Sequence, residues 1–484
     1  MADDSLNAPA GKLTKREIGS IMAGLMMAMF PGALDTTIIG PAMPTIGREL
    51  GDVEHLPWIV TSYLLVSTAA TPLYGKLSDI HGRRIMLLWA IGLFALGSVL
   101  CALAPTMITL ALARALQAIG GGGLMSLAMT IIGDIVSPLE RPKYQIYTSI
   151  MWTTASLLGP ALGGYLADKW HWSMIFWINL PICLAAWFMT DSKLKRLPRH
   201  ERPHKLDFAG AGLLVLASML VQLMLSWGGT RYPWGSTPVL GLMAGAAVAI
   251  ALLTWRLRTA AEPLIPLGLL SNPVVLSASS SVGLCMGVFV GLSIYVPIYF
   301  ETVIGLTATQ SGLALLPLMT GSTIGAVACG RIMVRVRHYK IAPMLGLIVG
   351  GLCLLPLYFR PEGMSLLTIE ILFTLVSIAV GGVFPVTTIS VQNSVARHEL
   401  GTATAMITFM RNIGAAVGVA VFGALAIGAG ISELSAVADA AHGPDYVTQF
   451  RWIFLAGAIG FLLSAAALAA MEERPLKSHG SGKL

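Results

Sequence analysis

The sequence predicts an all-α integral membrane protein whose chain crosses the bilayer many times. Only 11% of its 484 residues are Asp, Glu, Lys or Arg, whereas an ordinary soluble domain carries roughly 25%. The hydrophobic share of 55% excludes a disordered chain. The apolar runs are continuous and about twenty residues long, which is the length of a membrane-spanning helix. They lack the alternation of β-barrel strands.

Fourteen apolar segments are each long enough to cross a hydrocarbon core of about 30 Å. Their approximate bounds are 18–40, 56–75, 85–104, 107–133, 144–166, 172–190, 207–227, 237–256, 273–300, 310–332, 341–359, 365–391, 402–429 and 450–471. The first segment is too long for a signal-peptide core and has no small-residue cleavage site, so we expect a retained helix. The stretch 207–256 is read as two helices, with a less regular insertion as the alternative.

The distribution of the 31 basic residues predicts the orientation. If the N-terminus is cytoplasmic and every segment spans, 24 basic residues fall on the cytoplasmic side, five fall outside, and Arg114 and Arg411 lie within segments. This asymmetry is a strong positive-inside signal, and one missed helix would invert every later loop. We therefore expect both termini in the cytoplasm. The net charge of +7 then reflects membrane orientation and not nucleic-acid binding.

The segments divide into two bundles of six helices separated by two extra central helices. In chain order we expect a cytoplasmic tail, a six-helix bundle, a basic cytoplasmic linker, a two-helix insertion, a second cytoplasmic linker, a second six-helix bundle and a cytoplasmic tail. Their bounds are 1–17, 18–190, 191–206, 207–256, 257–272, 273–471 and 472–484. A faint repeat supports two similar halves, because a glycine-basic pair at Gly75 recurs at Gly330.

The remaining composition argues against metal and enzyme chemistry. The five cysteines all fall in apolar stretches, are odd in number and show no metal-ligand spacing. We interpret them as small buried hydrophobes, and we expect no metal and no cofactor. The sequence contains no HExxH, GxSxG or paired-carboxylate motif, so a membrane enzyme is a poor interpretation.

The loop after the second segment reads Gly75-Lys-Leu-Ser-Asp79-Ile-His-Gly82-Arg83-Arg84. Its glycines permit a tight turn, and an acid four residues before a base can form a charge pair. The pattern GxLxDxxGRR resembles the signature loop of the major facilitator superfamily. That resemblance implies a fold of two six-helix bundles and a charge relay of Asp79, Arg83 and Asp134 that closes the cytoplasmic gate. An ordinary charged turn, with Asp134 as a solvated acid, is the alternative.

Three further stretches narrow the resemblance, which covers essentially the whole chain. Leu34-Asp35-Thr36-Thr37-Ile38-Ile39 resembles the LDxTIV motif of the 14-helix drug/proton antiporters of the EmrB/QacA type. Arg114-Ala-Leu-Gln117-Ala-Ile-Gly120 resembles the RxxQGxG pattern, with Ala118 in place of a glycine. Gly159-Pro160-Ala161-Leu162-Gly163-Gly164 resembles the antiporter motif, although Ile150 replaces its first glycine. The second-half copy of the signature loop, after Gly330, lacks its acid. We therefore expect the cytoplasmic gate on that side to rely on packing and positive charge.

Asp35 and Arg114 are predicted to couple transport to protons. A charged residue inside a membrane segment is costly and usually faces the bundle interior. Burial favours the neutral carboxyl and a nearby cation favours the charged one, which suits a group that loads and unloads a proton. The resemblance implies that Arg114 modulates the proton affinity of Asp35. The alternatives are a structural hydrogen-bonding acid for Asp35 and a clamp on backbone carbonyls for Arg114.

Eight residues are candidates for lining a substrate cavity. They are Tyr63, Trp152, Tyr295, Glu301, Phe384, Phe409, Arg411 and Asn412. For each aromatic residue, packing or lipid contact is the alternative, and Glu301 either attracts cations or faces water at the interface. Arg411 and Asn412 either bind polar groups of a substrate or tie helices together, and we favour the structural role.

These features predict a proton-coupled antiporter that exports hydrophobic or amphipathic compounds, cationic ones included, by alternating access. The alternative is an exporter dedicated to one metabolite, siderophore or lipid. The expected partners are the substrate, protons and the bilayer of the inner or plasma membrane, with the proton gradient as energy source. Similar proteins often work with a periplasmic membrane-fusion adaptor, which is a further expectation.

Overall fold

The structure is a computed structural model that describes residues 15–52, 55–196, 207–229, 231–260, 262–336, 338–428 and 444–476. The first fourteen residues of the predicted N-terminal tail lie outside the described residues. The same holds for most of the basic linker 191–206 and for the end of the predicted C-terminal tail.

The described residues form helices at all fourteen predicted segments. The helices are α1 (Lys15–Leu50), α2 (Trp58–His81), α3 (Arg83–Ala102), α4 (Met107–Ile135), α5 (Arg141–Lys169), α6 (Met174–Trp177), α7 (Asn179–Lys193), α8 (Phe208–Trp227), α9 (Thr237–Thr259), α10 (Leu267–Leu270), α11 (Pro273–Thr302), α12 (Ala308–Ala314), α13 (Leu316–Arg335), α14 (Ile341–Phe359), α15 (Leu366–Ser394), α16 (Leu400–Gly428) and α17 (Pro444–Ala469). Two predicted segments are interrupted, one between α6 and α7 and one between α12 and α13.

Twelve helical stretches of the described residues are long and apolar enough to cross a membrane. The chain is therefore a multi-pass membrane protein. The other two predicted spans correspond to α2 and α5, which are 24 and 29 residues long but carry more Ser, Thr and Tyr. Since these two helices are not among the twelve, the count of fourteen spans stays a prediction.

Two separate apolar cores organise the molecule. One core is built from α1–α7, between Ile21 and Leu194, and the other begins at Ala211 on α8 and continues to Met471. We refer to the two groups α1–α7 and α11–α17 as the N-half and the C-half. Helix α8 packs on α9 and also touches α2 and α16, so it bridges the two halves at one side.

The halves meet where α2 ends and α16 begins. We call this the basic end, because the Gly75–Arg84 loop lies there. The far ends of the same helices form the opposite end. A Cβ atom on Gly75 would lie 2.6 Å from the Cβ atom of Ala405 and 2.7 Å from the carbonyl oxygen of Gly401. Helix α5 contacts α13, and the Gln392 amide donates to the carbonyl of Met129 at 3.3 Å. The basic end is therefore closed.

Candidate functional site

The deepest charges of the N-half form an ion pair between two helices. The Asp35 Oδ2 atom on α1 lies 2.6 Å from the Arg114 Nη1 atom on α4. The side chains are 0% and 2% exposed, so neither reaches solvent in this arrangement. Removing one partner of such a pair leaves an uncompensated charge and costs about 3–5 kcal/mol. The two predicted coupling residues are thus brought together.

Three polar side chains complete this cluster, and none of them is among the predicted site residues. The Gln117 amide donates to Asp35 Oδ1 at 3.0 Å and to Ser98 Oγ at 2.8 Å, while its oxygen accepts from Arg114 Nη1 at 2.5 Å. The Asn179 amide lies 3.5 Å from Asp35 Oδ1 and 3.4 Å from Ser98 Oγ. We call these five residues the charge cluster.

The sequence signals for these three residues differ. Gln117 follows Arg114 by three positions, so both side chains project from one face of α4. The RxxQ pattern contains Gln117, and this spacing is the signal that could have placed it in the site beside Arg114. Ser98 and Asn179 are single polar residues in apolar segments, and no spacing distinguishes them from satisfied core residues. Both are buried, at 0% exposure.

The N-half core encloses Arg114 on its remaining sides. Its Cζ atom lies 4.2 Å from the ring centroid of Tyr63 and 5.8 Å from that of Phe176. Its Nε atom donates to the carbonyl of Ile59 at 3.2 Å. Arg114 therefore has both the carboxylate and the carbonyl partner that were considered as alternatives. Tyr63, a predicted cavity residue, is buried against this guanidinium.

The three residues of the predicted charge relay are joined through Arg83 at the basic end. Arg83 Nε donates to Asp134 Oδ2 at 2.9 Å, its Nη1 atom donates to Ser78 Oγ at 2.6 Å, and the same Nη1 atom pairs with Asp79. Helices α2 and α3 are joined by Gly82 alone, whose φ of +92° is unfavourable for residues with a side chain. This turn brings the Arg83 side chain beside Asp79, which lies four residues earlier in the sequence. We call Asp79, Arg83 and Asp134 the latch.

Asp79 also binds the C-half. Its Oδ2 atom accepts from the backbone N–H of Thr402 at 3.1 Å and from the Thr402 hydroxyl at 2.9 Å, and its Oδ1 atom accepts from the N–H of Gly401 at 3.3 Å. Gly401 and Thr402 begin α16, so a carboxylate of one half caps a helix of the other. Burial raises the pKa of the Asp79 carboxyl, while the Arg83 guanidinium and the Thr402 donors oppose that rise.

The last residue of the signature loop has its own partner. Arg84 pairs with Asp191 at the end of α7, and Asp191 Oδ2 lies 3.2 Å from Lys195 Nζ. Arg83 and Arg84 therefore anchor the loop to different helices of the N-half. Gly75, the first residue of the loop, allows the close approach of α2 to α16 described above.

In the second half, the loop after Gly330 is held by an acid from a distant segment. Glu473 lies after α17, with its Oε2 atom 2.9 Å from His338 Nδ1 and its Oε1 atom accepting from the backbone N–H of Lys340 at 2.8 Å. Lys340 Nζ donates to the carbonyls of Ala469 and Met471 at 2.8 and 2.7 Å. The loop after Gly330 is thus tied to the C-terminal segment, which the sequence pattern does not indicate.

The antiporter-like motif packs α5 on α1. A Cβ atom on Gly159 would overlap the Thr37 side chain, and one on Gly163 would overlap the carbonyl oxygen of Ile38. At Gly164, by contrast, the nearest atom to an added Cβ would be Pro41 Cβ at 3.8 Å. Pro160, between these glycines, is exposed. Gly159 and Gly163 therefore bring the helix that carries Asp35 against α5.

The other cavity candidates are dispersed. Phe409 is buried in the C-half core, Glu301 is exposed at the end of α11, and Trp152 is partly exposed beside the N-half core. Tyr295 stacks edge-on with Phe422, with their ring centroids 6.4 Å apart. Asn412 is partly exposed.

Two of the cavity candidates, Arg411 and Phe384, contact each other. The Cζ atom of Arg411 lies 4.7 Å from the ring centroid of Phe384. Both residues belong to the C-half, on α16 and α15. In the part of the chain that the structure describes, no group of three or more His, Cys, Asp or Glu side chains is arranged to hold a metal ion.

Comparisons with known proteins match this architecture. A model of the Major Facilitator Superfamily matches residues 25–419. The Multidrug transporter protein MdtP of Bacillus subtilis is 33% identical over 420 residues, which cover 86% of this chain and 76% of that protein. Multidrug resistance protein 3 of the same organism is 32% identical over 405 residues, with coverages of 83% and 78%.

An uncharacterized MFS-type transporter of Mycobacterium tuberculosis is 35% identical over 408 residues. The match covers 84% of this chain but only 59% of that longer protein. Among solved structures, the human organic anion transporter MFSD10 (TETRAN) superposes with a TM-score of 0.65 at 17% identity, covering 96% of this chain and all of that one (100%). A bacterial homologue of the iron transporter ferroportin in an outward-facing state gives 0.68 at 12% identity, with coverages of 95% and 100%. At these identities the likeness concerns the fold alone.

Proposed function

The chain belongs to the Major Facilitator Superfamily, a family of transporters and not of enzymes, and on that premise we propose that it exports hydrophobic or amphipathic compounds in exchange for protons. The observation that carries the proposal is the buried Asp35–Arg114 pair. A carboxylate with no exposed surface is costly to bury in a membrane segment, so its presence there indicates a function that requires it. The relatives named as multidrug transporters support the substrate range.

In this proposal Asp35 carries the proton. When its carboxyl is protonated, the ion pair between α1 and α4 is lost, but Arg114 keeps the Gln117 oxygen, the Ile59 carbonyl and the Tyr63 ring as neutral partners. The guanidinium therefore remains partly satisfied in both protonation states. Protonation weakens the contact between two helices of the N-half, and that change of contact shifts the equilibrium between the two access states.

The closed basic end is one of these two states. Asp79 holds the first turn of α16, so opening of this end requires the carboxylate to release Gly401 and Thr402. In our proposal the basic end faces the cytoplasm, as the positive-inside rule predicts, and the structure then corresponds to the outward-facing state. Substrate enters after the latch opens, and its binding favours loss of the proton from Asp35.

We further propose that α2 and α5 also cross the membrane, which gives fourteen spans of the EmrB/QacA type. Trp58, at the start of α2, stacks edge-on with Trp227 at the end of α8, with ring centroids 6.0 Å apart. At its other end α2 reaches the latch, beside the end of α4. Helix α2 thus covers the same depth as α4, which is itself long and apolar enough to span.

The test is transport in reconstituted vesicles with an imposed pH gradient, using purified Asp35→Asn and the double variant Asp35→Asn/Arg114→Gln. We expect both variants to lose substrate movement driven by the gradient, and proton flux followed with an internal pH dye to stop as well. The double variant matters because it removes both charges and leaves no uncompensated ion. If its activity is restored, Asp35 serves only as the counter-ion of Arg114, and the proposed proton role is wrong.

A further inference from the structure

Two arginines lie deep inside the described helices, and their surroundings differ sharply. Arg114 of the N-half is paired with a carboxylate and with two oxygen acceptors. Arg411 of the C-half lies eleven residues into α16, about 16 Å along the helix from the basic end. Neither a carboxylate nor a hydrogen-bond acceptor of the described residues partners its guanidinium.

The Arg411 guanidinium lies over an aromatic ring, and no acceptor among the described residues takes up its N–H donors. The Phe384 ring lies 4.7 Å from Cζ, a distance typical of a cation–π contact. Such a contact uses the plane of the group and leaves the N–H donors pointing outward. A fixed guanidinium plane with free edges is suited to bidentate binding of a planar or tetrahedral anion.

Open space adjoins this arginine. Helix α16 packs against α11 on one side and against α2 on another. Even so, residues 411–416 are all partly exposed, whereas the first five residues of α16 after Leu400 are buried. A charge beside open space in a membrane segment, with no internal counter-ion, attracts a negative group that enters from outside the protein.

Apolar side chains lie beside Arg411. Phe384 and Met410 pack against the C-half core, and Cys285 on α11 lies close enough for its thiol to interact electrostatically with the guanidinium. A ligand here meets one cation, the partly exposed amide of Asn412 and a mainly hydrophobic lining, so an amphipathic molecule fits better than a small inorganic ion.

We propose that Arg411 binds the anionic group of an amphipathic organic anion, such as a carboxylate or sulfonate on an aromatic body, with Phe384 orienting the guanidinium. This inference rests on the proposed export function and specifies its substrate class. It departs from the sequence-based expectation that cationic compounds are among the substrates. It also gives Arg411 a binding role in place of the structural role favoured from the sequence.

The experiment compares two fluorescent probes that share one aromatic body and differ by a sulfonate. They are anilinonaphthalene sulfonate and the neutral phenylnaphthylamine. Binding is measured by equilibrium dialysis on the purified full chain in phosphatidylcholine nanodiscs, with empty nanodiscs as blank. We expect the wild type to bind the sulfonate at least about tenfold more tightly than the neutral probe, since hydrogen bonds to a charged group are the strong ones.

Arg411→Gln should abolish this preference and leave the affinity for the neutral probe unchanged. Arg411→Lys should keep a reduced preference, because a lysine retains the charge but not the fork of donors. Arg451→Gln on the exposed side of α17 is the matched control and should behave as wild type. If Arg411→Gln fails to fold, Arg411→Lys decides, because an unchanged ratio of the two Kd values in that variant would also overturn the proposal. Equal Kd values for the two probes, or an unchanged ratio in Arg411→Gln, would overturn the proposal.

Failure here and failure of the proposed function give different results. Dialysis needs no gradient, so Arg411-dependent binding without proton-driven movement of either probe refutes the export proposal and leaves the anion site standing. Gradient-driven movement of the neutral probe with no preference for the sulfonate refutes the anion site and leaves export standing.

Discussion

Asp79 on α2 accepts two hydrogen bonds from Thr402 on α16, one from the backbone N–H at 3.1 Å and one from the hydroxyl at 2.9 Å. These two residues are separated by 323 positions and belong to different halves of the molecule. At the basic end, the two halves are therefore joined by a local contact between a carboxylate and the first turn of a helix.

Thr402→Val should weaken that closure. The change removes the hydroxyl donor but keeps the backbone N–H, and a hydrogen bond to a charged group is worth about 1.5–3 kcal/mol. The closed population should fall roughly tenfold or more relative to the open one. The measurement is the distance distribution between spin labels at the exposed positions 143 and 331, beside the neighbouring ends of α5 and α13.

Thr408→Val serves as the control, because its hydroxyl donates to the Thr404 carbonyl within α16 and does not reach the N-half. An unchanged distance distribution in Thr402→Val would contradict the assigned role of this contact.

Gly75→Ala should also open the basic end, for a steric reason. The added Cβ atom would lie 2.6 Å from Ala405 Cβ and 2.7 Å from the Gly401 carbonyl oxygen, so α2 and α16 cannot keep their separation. Because both obstructions belong to the other half, the N-half itself should remain folded. We expect the same pair of spin labels to report a longer distance while the melting temperature changes little. A large loss of thermal stability with an unchanged label distance would contradict this.

The two neighbouring glycines of the antiporter-like motif should tolerate alanine very differently. Gly163→Ala places a Cβ atom on the Ile38 carbonyl oxygen, whereas Gly164→Ala meets only Pro41 Cβ at 3.8 Å. Overpacking of this kind costs about 1–3 kcal/mol. Thermal unfolding in detergent should show a lower midpoint for Gly163→Ala and a nearly unchanged one for Gly164→Ala. Equal midpoints would mean that α1 and α5 are not held as closely as the structure indicates.

Gln117→Leu should destabilise the charge cluster more than Asn179→Leu. Gln117 makes three short hydrogen bonds, at 2.5, 2.8 and 3.0 Å, and its loss leaves buried partners unsatisfied. Asn179 makes two long contacts, at 3.4 and 3.5 Å, and its Oδ1 atom is unpaired among the described residues. Each unsatisfied buried group costs about 1–3 kcal/mol. Chemical unfolding of the two variants should therefore rank Gln117→Leu as the less stable, and the reverse order would refute this account of the cluster.

Sequence reasoning located the helices and the ionised residues because both signals are local. An apolar run of sufficient length predicts a helix. Asp35 and Arg114 stand out in such runs because burying a charged side chain is costly and indicates a specific role. The partners were harder to find. Ser98 and Asn179 are ordinary polar residues until the fold places them beside Asp35.

Contacts across long sequence separations were beyond prediction for a similar reason. Nothing in the signature loop indicates that Asp79 reaches Thr402, and nothing in the loop after Gly330 indicates that Glu473 binds the N–H of Lys340. Tyr63 illustrates the converse problem. Its place among the cavity residues stays a prediction, but nothing in the sequence indicates that its ring also covers the buried Arg114 guanidinium.

The separation of the apolar cores has a consequence for biosynthesis. The N-half core ends at Leu194, and the second core begins at Ala211 on α8. A ribosome that has released α7 into the bilayer has therefore supplied every side chain of the first core, including the whole charge cluster. Domains fold as units from the N-terminus during synthesis. The costly Asp35–Arg114 pair can thus be assembled and shielded from lipid before the helix that completes the basic end, α16, has been translated.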